Sequence, residues 1–497
     1  MERPRTYDIV GEDKKRAAMT NAMRGSLAVA AMIAATLTQV LSPPGAWAKV
    51  NHTVIAATGT AAPKGGSFFR FQSFRMNPRG QVAFDAQLHG ASTLGIFVGD
   101  GKTTSAIALA GNPDPMSGDF GSVGSPTIGA GGEVVFAADT GIFRGKGETI
   151  SPIVQDGDPA PGGGNLIGLG TYASNSRGVI AVTTGVTDDV STEGIFRSDG
   201  DGTRTVTIAR DNTISPIGGT FLFFGDPAIN NRGQVAYFAG MTGGSGDFGI
   251  FRGGDDGGEN TTIFAANQSA PGGATFVDFS DPVINARGQV AATASLQDGI
   301  SQVGLFRGDG RNAAAIALEG NPAPQGGNYT TNFSKPLVMN DRGQVAFNVG
   351  LIGGASRGGI FRGDGVTTST VALQGTAAPG TTGTFSSFGD MKLGENGLVA
   401  FIGTLAVGVG GVDVTNNMGI WVGTSDSDLH LLVRTSDIID GSTLIKLPRV
   451  LGLFDMNEQG VVWEGGFPGG TPGSCCCGGT CSSAIVFSRN FHEDKGE

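Results

Sequence analysis

The chain of 497 residues is poor in the side chains that carry most enzymatic chemistry: four His, four Cys, three Trp and four Tyr, with charged residues at 15%. His52, His89, His430 and His492 lie near no recognisable nucleophile, and no nucleophile elbow, zinc-binding His-Glu-x-x-His or phosphate loop is evident. Positive charge is scarce too. Residues 1–48 hold six of the 33 basic and four of the 44 acidic residues, which leaves 27 against 40, or −13, for the remainder. A distributed acidic surface argues against nucleic acid or anionic membrane as partner. Beyond residue 41 there is no long apolar run, and the chain closes on a polar tail, 491–497. A soluble product with no stable membrane anchor is expected, acting as a monomer.

The single apolar run, Leu27 to Leu41, follows Lys14, Lys15, Arg16 and Arg24 and precedes Ala46-Trp47-Ala48. That order reads as a signal peptide over 1–48, cleaved after Ala48, whether translation starts at Met1, Met19 or Met23. Secretion or display at the cell surface is the expectation.

What is abundant is glycine, 86 residues, with 22 Pro, and both recur in register with short apolar segments. The phrase Asn-x-x-Gly-x-Val-Ala-Phe begins, with variations, at Asn77, Gly129, Asn175, Asn230, Asn285, Asn340, Gly394 and Asn457, in steps of 52, 46, 55, 55, 55, 54 and 63 residues. A period of this size belongs to supersecondary units too small to bury an apolar face alone. Each unit reads as four strands. A brief first strand, often opened by proline as in Pro126 to Ile128 or Pro227 to Ile229, runs into the turn of the phrase. There Asn and Gly serve the backbone, a reading that Gly129 and Gly394 in place of Asn support. The second strand, such as Gln81 to Phe84, carries adjacent apolar residues and should be covered on both faces. The third is Gly-Ile-Phe, as at Gly95 to Phe97, and a Gly-Asp-Gly hairpin leads to a fourth such as Ile107 to Leu109.

The eighth unit stops after its third strand, Ala484 to Phe487, whereas an unpaired fourth strand, Thr53 to Ala56, precedes the first unit. Surplus at one end matching deficit at the other implies a closed ring. The expected fold is therefore all-β, an eight-bladed β-propeller over 49–490, with residues 53–57 paired to 484–488. On these motifs the chain resembles an exported "choice-of-anchor" family with tandem Asn-x-x-Gly-x-x-Ala-Phe repeats. The resemblance spans 49–490 and implies location rather than chemistry, since that family has no established activity. The chain departs from it in showing no hydrophobic C-terminal anchor. The motif order is also similar to that of TolB-type β-propellers.

Four sets of residues are candidate sites. Cys475, Cys476, Cys477 and Cys481 lie within seven residues between the second and third strands of the eighth unit. In an exported protein they read first as disulfides, with three pairings open, and second as a thiolate metal site. Arg307-Gly308-Asp309 and Arg362-Gly363-Asp364 spell an adhesion tripeptide but occupy the place of the ordinary hairpin turn, and Asp199-Gly200-Asp201-Gly202 lacks the further ligands of a calcium loop. Asp226, Asp281 and Asp390 each stand four residues before the phrase. In a ring they should converge on the channel mouth, with Asp455 and Lys335 nearby, and could hold a hard cation such as calcium or a polar ligand. Asp before Pro also simply starts a turn.

Two rims should differ. Arg79, Arg177, Arg232, Arg287 and Arg342 share one with Asp100, Asp199, Asp309 and Asp364, where exposed ion pairs are expected. The other carries the unequal loops, Asp85 to Thr93, Thr184 to Glu193, Ala239 to Phe248, Thr404 to Met418 and Gly465 to Ser483. Ligand contact is expected there, and the short Ala137 to Thr140 loop should replace Thr404 to Met418 without loss of folding. The leading functional expectation is a secreted, non-enzymatic module that binds an extracellular protein or glycan. The alternative is a carbohydrate-active hydrolase or lyase using funnel carboxylates.

Overall fold

The computed structural model describes residues 50–116, 118–187, 190–444, 446–447, 454–472 and 480–489. The expected signal peptide over 1–48, the 491–497 tail and Cys475, Cys476 and Cys477 lie outside the described residues, and the side chain of Cys481 does too.

Eight four-stranded antiparallel blades follow one another around a ring. Blade 1 is Ser67–Met76, Val82–His89, Leu94–Gly99 and Thr104–Leu109, listed from the axis outward. Blade 8 is Phe454–Asn457, Gly460–Pro472 and Thr480–Arg489, and its outermost strand is Asn51–Ala57 from the start of the propeller. The closing pairs include Thr53 with Phe487 and Ala57 with Ala484, as the count of strands requires. The first and last described strands thus share one sheet, and the outer edge of Thr480–Arg489 is covered as in the other blades.

In blades 1, 2, 4, 6 and 7 the core is built from three aromatic positions, whereas blade 3 has Leu166 and Val182 with Phe196, and blade 5 has Ala292 between Phe276 and Phe306. In blade 1, Phe68 from the first strand meets the third-strand Phe97 edge-on at 5.0 Å and 81°, and Phe97 stacks on Phe84 at 5.5 Å. Blade 6 repeats this with Tyr329, Phe361 and Phe347, and blade 7 with Phe385, Trp421 and Phe401. Second strands are covered on both faces: Val82, Ala83 and Phe84 are all fully buried. The third-strand glycine is required by this packing, since a Cβ on Gly95 would lie 2.7 Å from the Phe97 ring.

The innermost strand is longer than the sequence suggests, and it is broken rather than brief. Blade 4 has Thr220–Phe224 and Ala228–Ile229, separated at Gly225-Asp226-Pro227, and blade 5 has Thr275–Phe279 and Val283–Ile284 around Asp281-Pro282. Other blades shift register at the same place, between Phe71 and Ser73 or Leu169 and Tyr172. The first half was hidden because it begins beside a second repeated motif, Pro-x-Gly-Gly, in the connection from the previous blade. There bridges such as Pro322 to Asn328 and Ser269 to Thr275 close a small hairpin.

The asparagines of the phrase do more than shape their own turn. Asn77 Oδ1 accepts from the N–H of Arg79 and of Gln81, both at 3.0 Å, while Gly80 N–H donates to Asn77 O with Gly80 at φ 79°. Asn77 Nδ2 then donates across the blade boundary to Gly129 O at 3.1 Å. The same bond recurs from Asn175 to Asn230 O, Asn230 to Asn285 O, Asn285 to Asn340 O and Asn340 to Gly394 O, and Asn457 to Asn77 O completes the circuit. Six of the eight boundaries are stapled in this way. At the other two, Ala130 N–H donates to Ser176 O at 2.8 Å, and Glu395 N–H donates to the Glu458 carboxylate at 3.1 Å. The purely local role expected for Asn is therefore incomplete. Where Gly129 replaces it, the carboxylate of Glu133 fills the space, and beside Gly394 it is Asn396 that binds the Leu398 N–H.

Candidate functional site

Alternation along a strand puts residues two and four positions before the phrase on one face of each innermost strand. In blade 1 these are Ser73 and Arg75, in blade 2 Ser125 and Thr127, in blade 3 Thr171, and in blade 4 Asp226. Together with Tyr172 they line a cavity of about 640 Å³. Arg75 is half-buried, and its guanidinium donates to Phe74 O at 2.8 Å.

The cavity wall is tied together across blades. Asp85, 4% exposed, accepts from both the N–H and the hydroxyl of Ser73, at 2.7 and 2.8 Å. Burial raises its pKa, opposed by those bonds and by a backbone bond from Ser125. Tyr172 donates its hydroxyl to Ser125 O, and burial pushes its own pKa up. Ser174 donates to Thr127 Oγ1 at 2.6 Å, and Thr171 donates to Asp226 Oδ1 at 2.7 Å. The chain of bonds passes on to blade 5, where Asp281 Oδ1 accepts from Asp226 N–H at 3.3 Å.

Of the three expected aspartates, Asp226 and Asp281 are thus brought together and Asp390 is not joined to them. Asp390 is 8% exposed; its Oδ1 accepts from Met391 N–H at 2.8 Å and its Oδ2 has no partner among the described residues. Burial holds its carboxyl above the ordinary range, with Lys392 and Arg75 opposing and Asp455 reinforcing. Asp455 accepts from Met76 N–H at 2.9 Å, which fastens blade 8 to blade 1. Among the described residues, no three His, Cys, Asp or Glu side chains are grouped so as to hold a metal ion. The side chain of Lys335 is not among those described.

The Asn-x-x-Gly rim is organised differently from expectation. Its five turn arginines are exposed as anticipated, but Asp100, Asp309 and Asp364 cap their own hairpins, each accepting two backbone N–H bonds within three residues. The cross-blade cations are the third-strand arginines: Arg252, Arg307 and Arg362 donate to the carbonyls of Gly288, Gly343 and Gly397 in the following blades. Both Arg-Gly-Asp sequences are consumed by these contacts. The pattern Gly-x-Ser-x-Gly does occur, at Gly354-Ala355-Ser356-Arg357-Gly358, but in a hairpin loop between two antiparallel strands with no helix after it.

Among the described residues 13 large hydrophobics are exposed: Val366 lies on the Asn-x-x-Gly rim, Ile167, Leu222 and Phe223 lie on innermost strands, and the other nine, Met116, Val190, Ile214, Ile300, Ile352, Val407, Val409, Val414 and Ile438, lie in or at the ends of the variable-rim loops. The blade 7 loop is not wholly free: Val412 is 2% exposed within that blade's core, so grafting a short loop in place of Thr404 to Met418 would open a cavity.

Sequence reasoning missed Arg75, Asp85, Ser125 and Tyr172. A signal existed for two of them. Arg75 stands where Ala173, Ala228, Val283 and Val338 stand in other units, and Asp85 follows a Val-Ala-Phe whose counterparts continue with Ala137, Phe238 or Ile402.

No curated protein matches the sequence. Among solved structures, a puromycin-hydrolysing peptidase of Mycobacterium tuberculosis is similar with TM-score 0.39 and 13% identity over 82% of this chain and 61% of that one. PorZ, a surface component of the type-IX secretion system of Porphyromonas gingivalis, is similar with TM-score 0.37 and 14% identity, over 86% and 60%. A PL25 ulvan lyase has TM-score 0.30 and 9% identity, over 77% and 95%. The chain spans less than two thirds of the length of the peptidase and of PorZ. The profile of a family of unknown function, DUF7453, matches residues 14–193, 137–358 and 352–463, and the chain belongs to that family.

Proposed function

We propose that the protein is exported and acts as a non-enzymatic binding propeller that grips an extracellular protein with its variable rim. The observation that carries this reading is that nine of the 13 exposed large hydrophobics lie in or at the ends of the loops of one rim, against one, Val366, on the other. Single exposed apolar residues are ordinary on any protein surface, but confinement to one face is the mark of an interaction surface. None of the nine is aromatic or polar, so they offer a sugar neither stacking nor hydrogen bonds, and a protein partner fits this rim better than a glycan. Export rests on the signal-like segment 1–48 and on the likeness to exported choice-of-anchor repeat proteins; the blade order, like that of TolB-type propellers, leaves the loops of one rim free to vary.

Photo-crosslinking in the producing cells tests the proposal. A photoreactive residue at Ile300 or Val414 should give adducts with a partner outside the cytoplasm, and one at Val366 or Arg287 should not. Adducts from Val366 and Arg287 alone would overturn the assignment.

A further inference from the structure

We infer that the cavity between the innermost strands of blades 1 to 4 binds a neutral polyhydroxylated ligand of one or two sugar units. Its volume, about 640 Å³, lies within the range of small-molecule sites. The chemistry of its wall selects the class. Arg75 presents guanidinium donors beyond the one spent on Phe74 O, and Asp226, exposed, presents an acceptor beside the Thr171 hydroxyl. An anion would meet the acidic surroundings of Asp85 and Asp226, and a cation would meet Arg75. A vicinal diol suits both, because each hydroxyl donates and accepts.

The wall is also held in advance of any ligand. Ser125 has φ 54°, and among the described residues it is the one non-glycine residue with positive φ inside a strand; the others lie in loops. Such a conformation persists only where its surroundings enforce it. Here Tyr172 holds its carbonyl, and the Asp85 carboxylate packs beside the strand at Gly124. Nothing in the repeat requires this arrangement, since no other blade has Arg at the place of Arg75 or Asp at the place of Asp85, and Ser73, at the place of Ser125, has no positive φ.

The test is saturation-transfer NMR with the purified protein and glucose, galactose, mannose, maltose, cellobiose, glucuronate and glucosamine as probes. At least one neutral sugar should bind with a dissociation constant of about 0.1–1 mM. Arg75→Gln and Asp226→Asn should each weaken it about tenfold or more at unchanged melting temperature. Ile300→Asp on the variable rim should leave sugar binding as it was, which separates this site from the proposed protein-binding rim. The inference is overturned if no neutral sugar binds below about 10 mM, if only glucuronate or only glucosamine binds, or if both substituted proteins bind like the parent.

Discussion

Asn230 shows how much one residue of the repeat carries. Its side chain accepts from Arg232 and Gln234 N–H, both at 3.0 Å, and donates to Gln234 Oε1 and to Asn285 O in the next blade. Asn230→Ala strands buried backbone groups on both sides of a blade boundary, and a loss of about 2–3 kcal/mol is expected, read as a lower denaturation midpoint in guanidinium. Tyr237 predicts the opposite sign. It is fully buried with no hydrogen-bond partner for its hydroxyl among the described residues, at a position where Phe84 and Phe347 stand in other blades. Tyr237→Phe should raise stability by about 1 kcal/mol; destabilisation would mean that the hydroxyl is satisfied. Asp390 gives a pH signature. Burial raises its folded pKa above the unfolded value of 3.8, so the folded state is favoured by protonation and loses stability as pH rises through the folded pKa. Asp390→Asn should therefore melt higher than the parent at pH 7, with the gain vanishing below pH 3.8. An equal gain at both pH values would remove titration from the explanation.

At the scale of strands and turns, the two arginine sets separate cleanly. Arg287 is exposed at the tip of its turn, while Arg307, on the third strand of the same blade, donates to Gly343 O in the next. Arg287→Ala should move the melting temperature by about 1 °C or less, and Arg307→Ala should cost about 1–2 kcal/mol. Equal effects in differential scanning calorimetry would contradict the cross-blade role. Closure belongs to this scale too. The surplus strand at 53–56 and the missing fourth strand of the last unit were legible because every other unit repeats the same four-strand count, and the structure pairs Asn51–Ala57 with Thr480–Arg489. The first half of each innermost strand was not legible. It does carry a phrase, Thr-Phe-x-x-Phe, at Thr220–Phe224, Thr275–Phe279 and 384–388, but it lies near the Pro-x-Gly-Gly turn, and only its pairing with the second strand across a register break joins it to the short strand before Asn.

For the whole molecule, what repeats was readable and what does not repeat was not. Ile-Phe, Val-Ala-Phe and Asn-x-x-Gly announce themselves by recurring, so the ring and its two unlike rims follow from sequence. Arg75, Asp85 and Tyr172 occur once each in their roles, and only the ring brings blades 1, 2 and 3 close enough for Arg75 and Tyr172 to line one cavity with Asp85 behind Ser73. Asp226 and Asp281 were found by position, yet their link runs through a backbone N–H that no spacing rule reveals. The hydrophobic rim was equally hidden, because exposure is a property of the folded loops rather than of composition.

The central claim is that this rim, and not the Asn-x-x-Gly rim, holds the partner. The most direct measurement is the mass, by mass photometry, of the protein released from its producing cells, compared among the parent, Ile300→Asp with Val414→Asp, and Val366→Asp. The parent and Val366→Asp should run as a complex heavier than one processed chain, itself lighter than the 50.3 kDa of all 497 residues, and the doubly substituted rim as the processed chain alone. A complex that survives the double substitution and is lost with Val366→Asp would contradict the account.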